Sequence, residues 1–232
     1  MMKVFEGREF ADVYDDASGG VFRGFRFIDC AFVSCWLSIS DDADKRTTFR
    51  DVELVGASHI NCGLNSAVVE DVIVEGLTSK RDPLFCRGAV FKHVVLRGDV
   101  DRIVLKPHPI SGAEDQAVAK SFSEFRRAYY SDVDWALDIS EVSCVELNIH
   151  SIPGDLVRRD PRTQAIVRRD SISANLLSGI SWLGPEFTMS LELFLNRGDE
   201  DVVLIAPKKK PQFSRLVDEI ERLRDAGIAD RD

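Results

Sequence analysis

The sequence predicts a coiled β-solenoid over its first half, with a mixed helix-and-strand (α+β) half packed on it. Three observations predict this. Apolar residues recur at every fifth position through Phe22, Phe27, Phe32 and Leu37, and again through Phe49, Leu54, Leu64, Val69 and Val74, with His59 filling the one polar slot of that run. Two positions before such residues stands a second, mostly small or apolar one: Cys30, Cys35, Thr47, Val52, Ala57, Cys62, Ala67 and Val72. After Lys106-Pro107-His108-Pro109 this period gives way to helical spacing. A period of five fits neither an α-helix nor a flat strand. It fits a chain that turns repeatedly and points every fifth side chain inward. Four such sides make a coil of about twenty residues, and stacked coils bury a column that no single coil could bury alone.

The elements follow in order. Phe5 and Phe10 already have the five-residue spacing, and a polar loop ends at Gly19-Gly20. Residues 21–39 form the first clear coil, with Arg23, Arg26, Asp29 and Ser34 facing out. The charged stretch 40–48 interrupts the period and shifts its phase, so it reads as a solvated insertion with an acidic tip of Asp41, Asp42 and Asp44. Residues 49–76 keep the period, with His59 in an inward slot as a core histidine. A second interruption at 77–83 precedes Ala89, Phe91, Val94 and Leu96, and residues 84–105 complete the coiled region.

Residues 113–130 carry apolar residues at helical spacing and are expected to cap the open end of the stack. Within 135–152, Ile139, Cys144 and Ile149 are again five apart, so this stretch is expected to return to the stack. Residues 156–169 read as a hairpin about Asp160-Pro161, and 171–182 and 185–196 as helices. A short strand over 202–206 precedes an amphipathic helix over 211–226, ended by Gly227. The expected organisation is therefore residues 1–110 as the solenoid and 111–232 as the α+β half, with 135–152 contributing a further coil.

Composition bounds the function. The 232 residues hold 39 acids against 30 bases, a net charge of −9, with 44% apolar residues. That balance suits a folded protein and disfavours direct nucleic-acid binding, which depends on cationic side chains displacing counterions. No apolar run approaches the ~20 residues that span a bilayer, and the N-terminus lacks the apolar stretch of a signal peptide. The five cysteines form no C-x-x-C pair, and Cys30, Cys35 and Cys62 take inward positions. They read as small buried apolar groups, which points to a reducing, cytoplasmic setting.

Catalytic patterns are sparse. The chain has no P-loop, H-E-x-x-H or G-x-S-x-G motif, and His59, His93, His108 and His150 are dispersed. The expected set of catalytic residues, metal ligands and cofactors is empty. The candidate interaction surface comprises Asp41, Asp42 and Asp44 together with Arg158, Arg159, Arg168 and Arg169, which bracket the expected hairpin. Four arginines on a short hairpin can form an ion-pair lattice or meet an anionic surface.

The units Cys30-Ala31-Phe32, Cys62-Gly63-Leu64 and Ala67-Val68-Val69 resemble the pentapeptide-repeat family, and the resemblance spans roughly residues 21–105. The family's common Asp or Asn after the small residue is replaced here by Ala31, Gly63 and Val68. The resemblance implies a right-handed, four-sided parallel β-helix. Some members of that family are acidic DNA mimics that bind topoisomerases. The sequence fits best a non-enzymatic bacterial module that binds another protein, such as a toxin-neutralising immunity protein. The alternatives are a DNA-mimicking topoisomerase binder and an enzyme acting on a carbohydrate or small substrate at the junction of the halves.

Overall fold

The structure is a computed structural model that describes residues 2–16 and 18–231. The chain forms two compact units. One is Met1–Ile152 with Leu156–Arg158, and the other is Pro153–Asp155 with Arg159–Asp232.

The first unit is built on a large, curled parallel sheet. The chain runs through it in successive passes. The first pass holds β1 (Lys3–Glu6) and β2 (Glu9–Ala11). The second holds β3 (Val21–Ile28), β4 (Ala31–Val33) and β5 (Trp36–Leu37). The third holds β6 (Thr48–Ile60) and β7 (Gly63–Asn65), and the fourth β8 (Val68–Ser79) and β9 (Leu84–Arg87). The fifth is the single long strand β10 (Val90–Lys106). Each pass pairs in parallel with the one before, so that Phe22, Phe49, Val69 and Phe91 fall in one row, and Phe27, Leu54, Val74 and Leu96 in another.

The five-residue period has a backbone cause. Left-handed residues stand at Gly24, Asp29 and Ser34, at Asp51, Gly56, Asn61 and Ser66, and at Asp71 and Gly76. Each turns the strand, and they recur every five positions because the inward side chains between them do. Asp, Asn, Ser and Gly tolerate this conformation best, the first three through short polar side chains that bond locally. The corners align between passes: Gly24, Asp51, Asp71 and His93 follow the paired Arg23, Arg50, Glu70 and Lys92.

The expected inward residues Cys30, Cys35, Val52, Ala57, Cys62, Ala67, Val72, Val74 and Leu96 are buried. His59 is buried too, at 3% exposure, and neither ring nitrogen meets a hydrogen-bond partner among the described residues. The first two passes also carry stacked rings, Phe5 on Phe27 at 5.3 Å and Phe10 on Phe32 at 5.4 Å between centroids.

The boundary differs from the expected residue 110. Strands β11 (Leu137–Asp138) and β12 (Val142–Ile149) pair in parallel with β10, and β13 (Val157–Arg158) pairs with β11, so the first unit runs on past the helical segment. Backbone pairing with β10 ties these strands to the sheet whatever the chain does in between.

Helix α1 (Gln116–Tyr130) starts at Asp115, whose side chain accepts from the N–H groups of Ala117 and Val118. It does not cap an end of the sheet. It lies against the middle passes: the Phe91 N–H donates to the Tyr130 hydroxyl at 3.2 Å, and Arg126 donates to Pro107 O at 2.8 Å. Gly88 makes this approach possible. Its φ is +68°, and a Cβ there would come within 2.7 Å of the Phe122 ring.

The second unit pairs β14 (Gln164–Arg168) antiparallel with β15 (Asp201–Ile205). Around this ribbon pack α2 (Ala174–Ser178), α3 (Pro185–Arg197) and α4 (Phe213–Asp225). Their core includes Val167, Leu191, Phe194, Leu204, Leu216, Ile220 and Leu223. Pro185 opens α3 and left-handed Gly198 closes it. The expected hairpin over 156–169 is absent, because its two arms find different partners: Val157–Arg158 joins the parallel sheet, while Gln164–Arg168 pairs with β15. The helix expected over 171–182 is confined to α2.

Candidate interaction surface

The loop 40–48 was expected to project an acidic tip, but its centre turns inward. Ala43, Arg46 and Thr47 are buried, while Asp41, Asp42 and Asp44 stay exposed. Arg46 anchors the loop, donating from Nε to Ala43 O at 2.8 Å and from Nη1 to Gly88 O at 2.6 Å. Its guanidinium lies over the rings of Phe125 and Phe122, 4.0 and 4.5 Å from their centroids. Burial pulls it down to about 10. The acids serve the loop locally. Asp42 accepts from the Asp44 N–H and pairs with Lys45 at 3.5 Å, and these hold its carboxyl below the usual range. Asp41 accepts from the Ser111 hydroxyl.

The four arginines do not form one lattice. Arg158 lies over the Trp135 ring at 4.0 Å. Arg159 donates to Gly154 O at 3.2 Å. Arg168 reaches Asp155 at 2.6 Å and Asp230 at 3.0 Å, and its hydrogen bonds hold the Asp155 carboxyl below the ordinary range. Arg169 donates to Asp199 O at 2.6 Å and to Phe194 O and Leu195 O at the end of α3, where a cation meets the last carbonyls of a helix.

The structure does gather polar residues elsewhere on the first unit. His93, at a left-handed corner, has Asp71 Oδ1 at 3.2 Å from Nδ1 and Asp134 Oδ1 at 2.7 Å from Nε2. Its ring packs on Trp135 with 4.7 Å between centroids, so Trp135 also joins Arg158 to this cluster. The hydrogen bond from His93 holds the Asp134 carboxyl below its ordinary value. In the preceding row, Tyr129 of α1 donates to Glu70 Oε1 at 3.0 Å, and Arg50 donates from Nε to Glu70 Oε2 at 2.7 Å. Burial, and then the Glu70 charge, push the Tyr129 hydroxyl up. Both ring nitrogens of His93 meet carboxylates, and these fix the orientation of the ring.

Sequence reasoning missed this cluster. Asp71 and His93 stand one pass apart, and only the register of the passes brings them together.

Acids on the outer face meet arginines of a neighbouring pass: Arg23 with Asp51 at 3.3 Å, Arg26 with Glu53 at 3.2 Å, and Arg97 with Glu75 at 2.7 Å. In the second unit, a shallow depression of roughly 260 Å³ is lined by Pro161, Glu221, Arg224, Asp225 and Arg231. Its charges pair among themselves, Arg224 with Glu221 at 2.7 Å and Arg231 with Asp225 at 2.8 Å.

The first pass presents a different surface. Among the described residues, β1 pairs only with β3 and β2 only with β4, so each leaves one edge open. Val4, Val13 and Tyr14 of this pass and Val21, Phe22 and Ile39 of the next are exposed large apolar side chains, as are Ile110, Leu176, Met189 and Leu193 on other elements. Exposed apolar side chains on the end passes of a sheet suit an interaction surface. Among the described residues no group of acids, histidines or cysteines is arranged to hold a metal ion, and no helix is long and apolar enough to cross a membrane.

No family model, curated protein or solved structure matches the chain.

Proposed function

We propose that the protein is a non-enzymatic module that binds another protein, of the bacterial toxin-neutralising immunity class, and that it does so through the open end of the first unit. The exposed apolar side chains of the first two passes, Val4, Val13, Tyr14, Val21, Phe22 and Ile39, carry this reading. The sheet beneath it is in this reading a right-handed, four-sided β-helix of the pentapeptide-repeat kind. The left-handed corners five residues apart support the four-sided form, and the handedness comes from the resemblance. The five cysteines are all buried and free, which supports a reducing cytoplasm as its setting.

A DNA mimic draws on a continuous unpaired acidic stripe, and the pairing of Asp51, Glu53, Glu70 and Glu75 with arginines leaves that alternative little support. An enzyme draws on a cleft with converging polar groups, and the paired charges of the depression in the second unit supply none.

The test is cross-linked affinity purification of the tagged protein from its source cells, read by mass spectrometry. One partner in near-stoichiometric yield is expected, and it should be lost from a Tyr14→Asp, Phe22→Asp double variant that still folds. Absence of any stoichiometric partner would overturn the reading.

A further inference from the structure

The open edge has a chemistry of its own. Gly7 N–H donates to Ile28 O, and Arg8 O accepts from Ala31 N–H. Asp12 N–H donates to Val33 O. In a parallel ladder the backbone groups of alternate residues point to opposite neighbours. The residues between these anchors, Val4 and Glu6 of β1 and Glu9 and Ala11 of β2, therefore aim their N–H and C=O groups at the open edge. Between them stand Phe5 and Phe10, whose half-buried rings begin the stacked inner rows, each with a phenylalanine of the second pass stacked against it.

The charge of this edge is one-sided. The first pass carries Glu6, Glu9, Asp12, Asp15 and Asp16 against Lys3 and Arg8. Both cations lean on the Phe5 ring, at 5.0 and 5.9 Å from its centroid. A second copy of this acidic edge would meet it with like charge, which costs association.

We propose that this edge captures an extended basic segment of the partner protein by strand addition. The inference rests on the protein-binding reading above and names what is bound. Backbone groups of Val4, Glu6, Glu9 and Ala11 would continue the ladder. Alternate side chains of the incoming strand would divide between two surroundings. Apolar ones would extend the rows over Phe5 and Phe10, and lysine or arginine would lie outside beside Glu6 and Glu9. Alternating specificity of this kind is how strand addition selects a sequence.

The test uses the whole protein and a fluorescein-labelled heptapeptide alternating lysine and valine, followed by anisotropy. Three controls accompany it: the same peptide with glutamate for lysine, one N-methylated on alternate amides, and sedimentation of the protein alone. Val4→Pro removes an outward N–H without touching the pairing to β3. It is expected to weaken binding roughly tenfold, as lost hydrogen bonds do, with the thermal unfolding curve unchanged. Glu6→Lys with Glu9→Lys should abolish binding, and the N-methylated and glutamate peptides should not bind.

The proposal is overturned if the lysine peptide does not bind, if the N-methylated peptide binds equally, or if the Val4 and Glu6/Glu9 variants bind like the parent. It is overturned in favour of self-association if the protein dimerises and Val4→Pro abolishes the dimer. A cellular partner retained by Val4→Pro would leave the protein-binding reading standing and sink the edge assignment. Specific peptide binding without any cellular partner would do the reverse.

Discussion

The first two passes of the sheet and the passes that follow share one backbone pattern and differ in what fills it. In the middle, Val52, Ala57, Cys62, Val72, Val94 and Leu96 are small or medium side chains buried from above and below. In the first two passes Cys30 and Cys35 stay buried beside Ala57 and Cys62, but the remaining inward positions hold Phe5, Phe10, Phe25, Phe27 and Phe32, all only partly buried. Phe22 heads its row at 41% exposure. A row of a stacked sheet is sealed only where a neighbour lies on both sides. Where one neighbour is missing, large rings stacked on each other recover part of the contact that a covering pass would supply. The same backbone is therefore a core in one place and a surface in another.

The most severe way to break that comparison is to place a charge in each region. Leu96→Asp in the covered region buries a carboxylate without a partner, and a loss of about 3–5 kcal/mol is expected. Phe22→Asp at the open end should cost about 1 kcal/mol or less, since water reaches the site. Urea unfolding of both variants reads the difference, and equal losses would refute the distinction between core and end.

Next comes Arg46, which pins the loop 40–48 and α1 to the covered passes. Arg46→Ala leaves the Ala43 and Gly88 carbonyls without their donor and removes a cation from between two rings. The expected cost is roughly 2–4 kcal/mol, read as a lower urea midpoint with near-normal peptide binding at the open edge.

His59 gives a smaller effect that depends on pH. Burial lowers its pKa below the ordinary 6.5, although the charges of Asp101 and Asp82 oppose this. The unfolded chain therefore takes up the proton first. The stability linked to neutral His59 is fully present above pH 6.5 and is lost as pH falls from there towards the folded-state value, at up to ~1.4 kcal/mol per pH unit. Unfolding midpoints between pH 7.5 and 5 should show this slope, and His59→Leu should flatten it. A slope of opposite sign would mean that the ring is charged in the folded protein.

The least change is expected on the outer face. Arg97→Ala breaks an exposed pair with Glu75, and about 0.5 kcal/mol or less should be lost, again by urea unfolding.

Much of the covered region was legible in the sequence because burial there is local and periodic. An inward side chain every fifth position requires a corner between successive ones, and Asp29, Ser34, Asp51, Asn61 and Asp71 stand at those corners because they tolerate the left-handed backbone. The helices α3 and α4 were legible for a similar reason: apolar spacing, Pro185 at one start and Gly198 and Gly227 beyond the ends. The arginines at 158–169 misled, because two strand-like arms joined by Asp-Pro read as a hairpin whether or not they pair. Pairing is decided by the strands they meet, and here those belong to different sheets. The loop 40–48 misled because its charge was counted as exposure. Arg46 is buried, with three carbonyls and two rings around it, none of them near it in the charge pattern except Ala43.

By itself the sequence determined the period, the residues that point inward and the approximate reach of α1, α3 and α4. These follow from side-chain chemistry acting over five to twelve neighbouring residues. The return of 135–152 to the sheet was legible too, in the spacing of Ile139, Cys144 and Ile149. Tertiary structure alone decided that His93 lies between Asp71 and Asp134. It also decided that the first pass keeps an open edge. Each of these depends on which strand lies beside which, and the free energy of that choice resides in backbone pairing and burial between segments far apart in the chain.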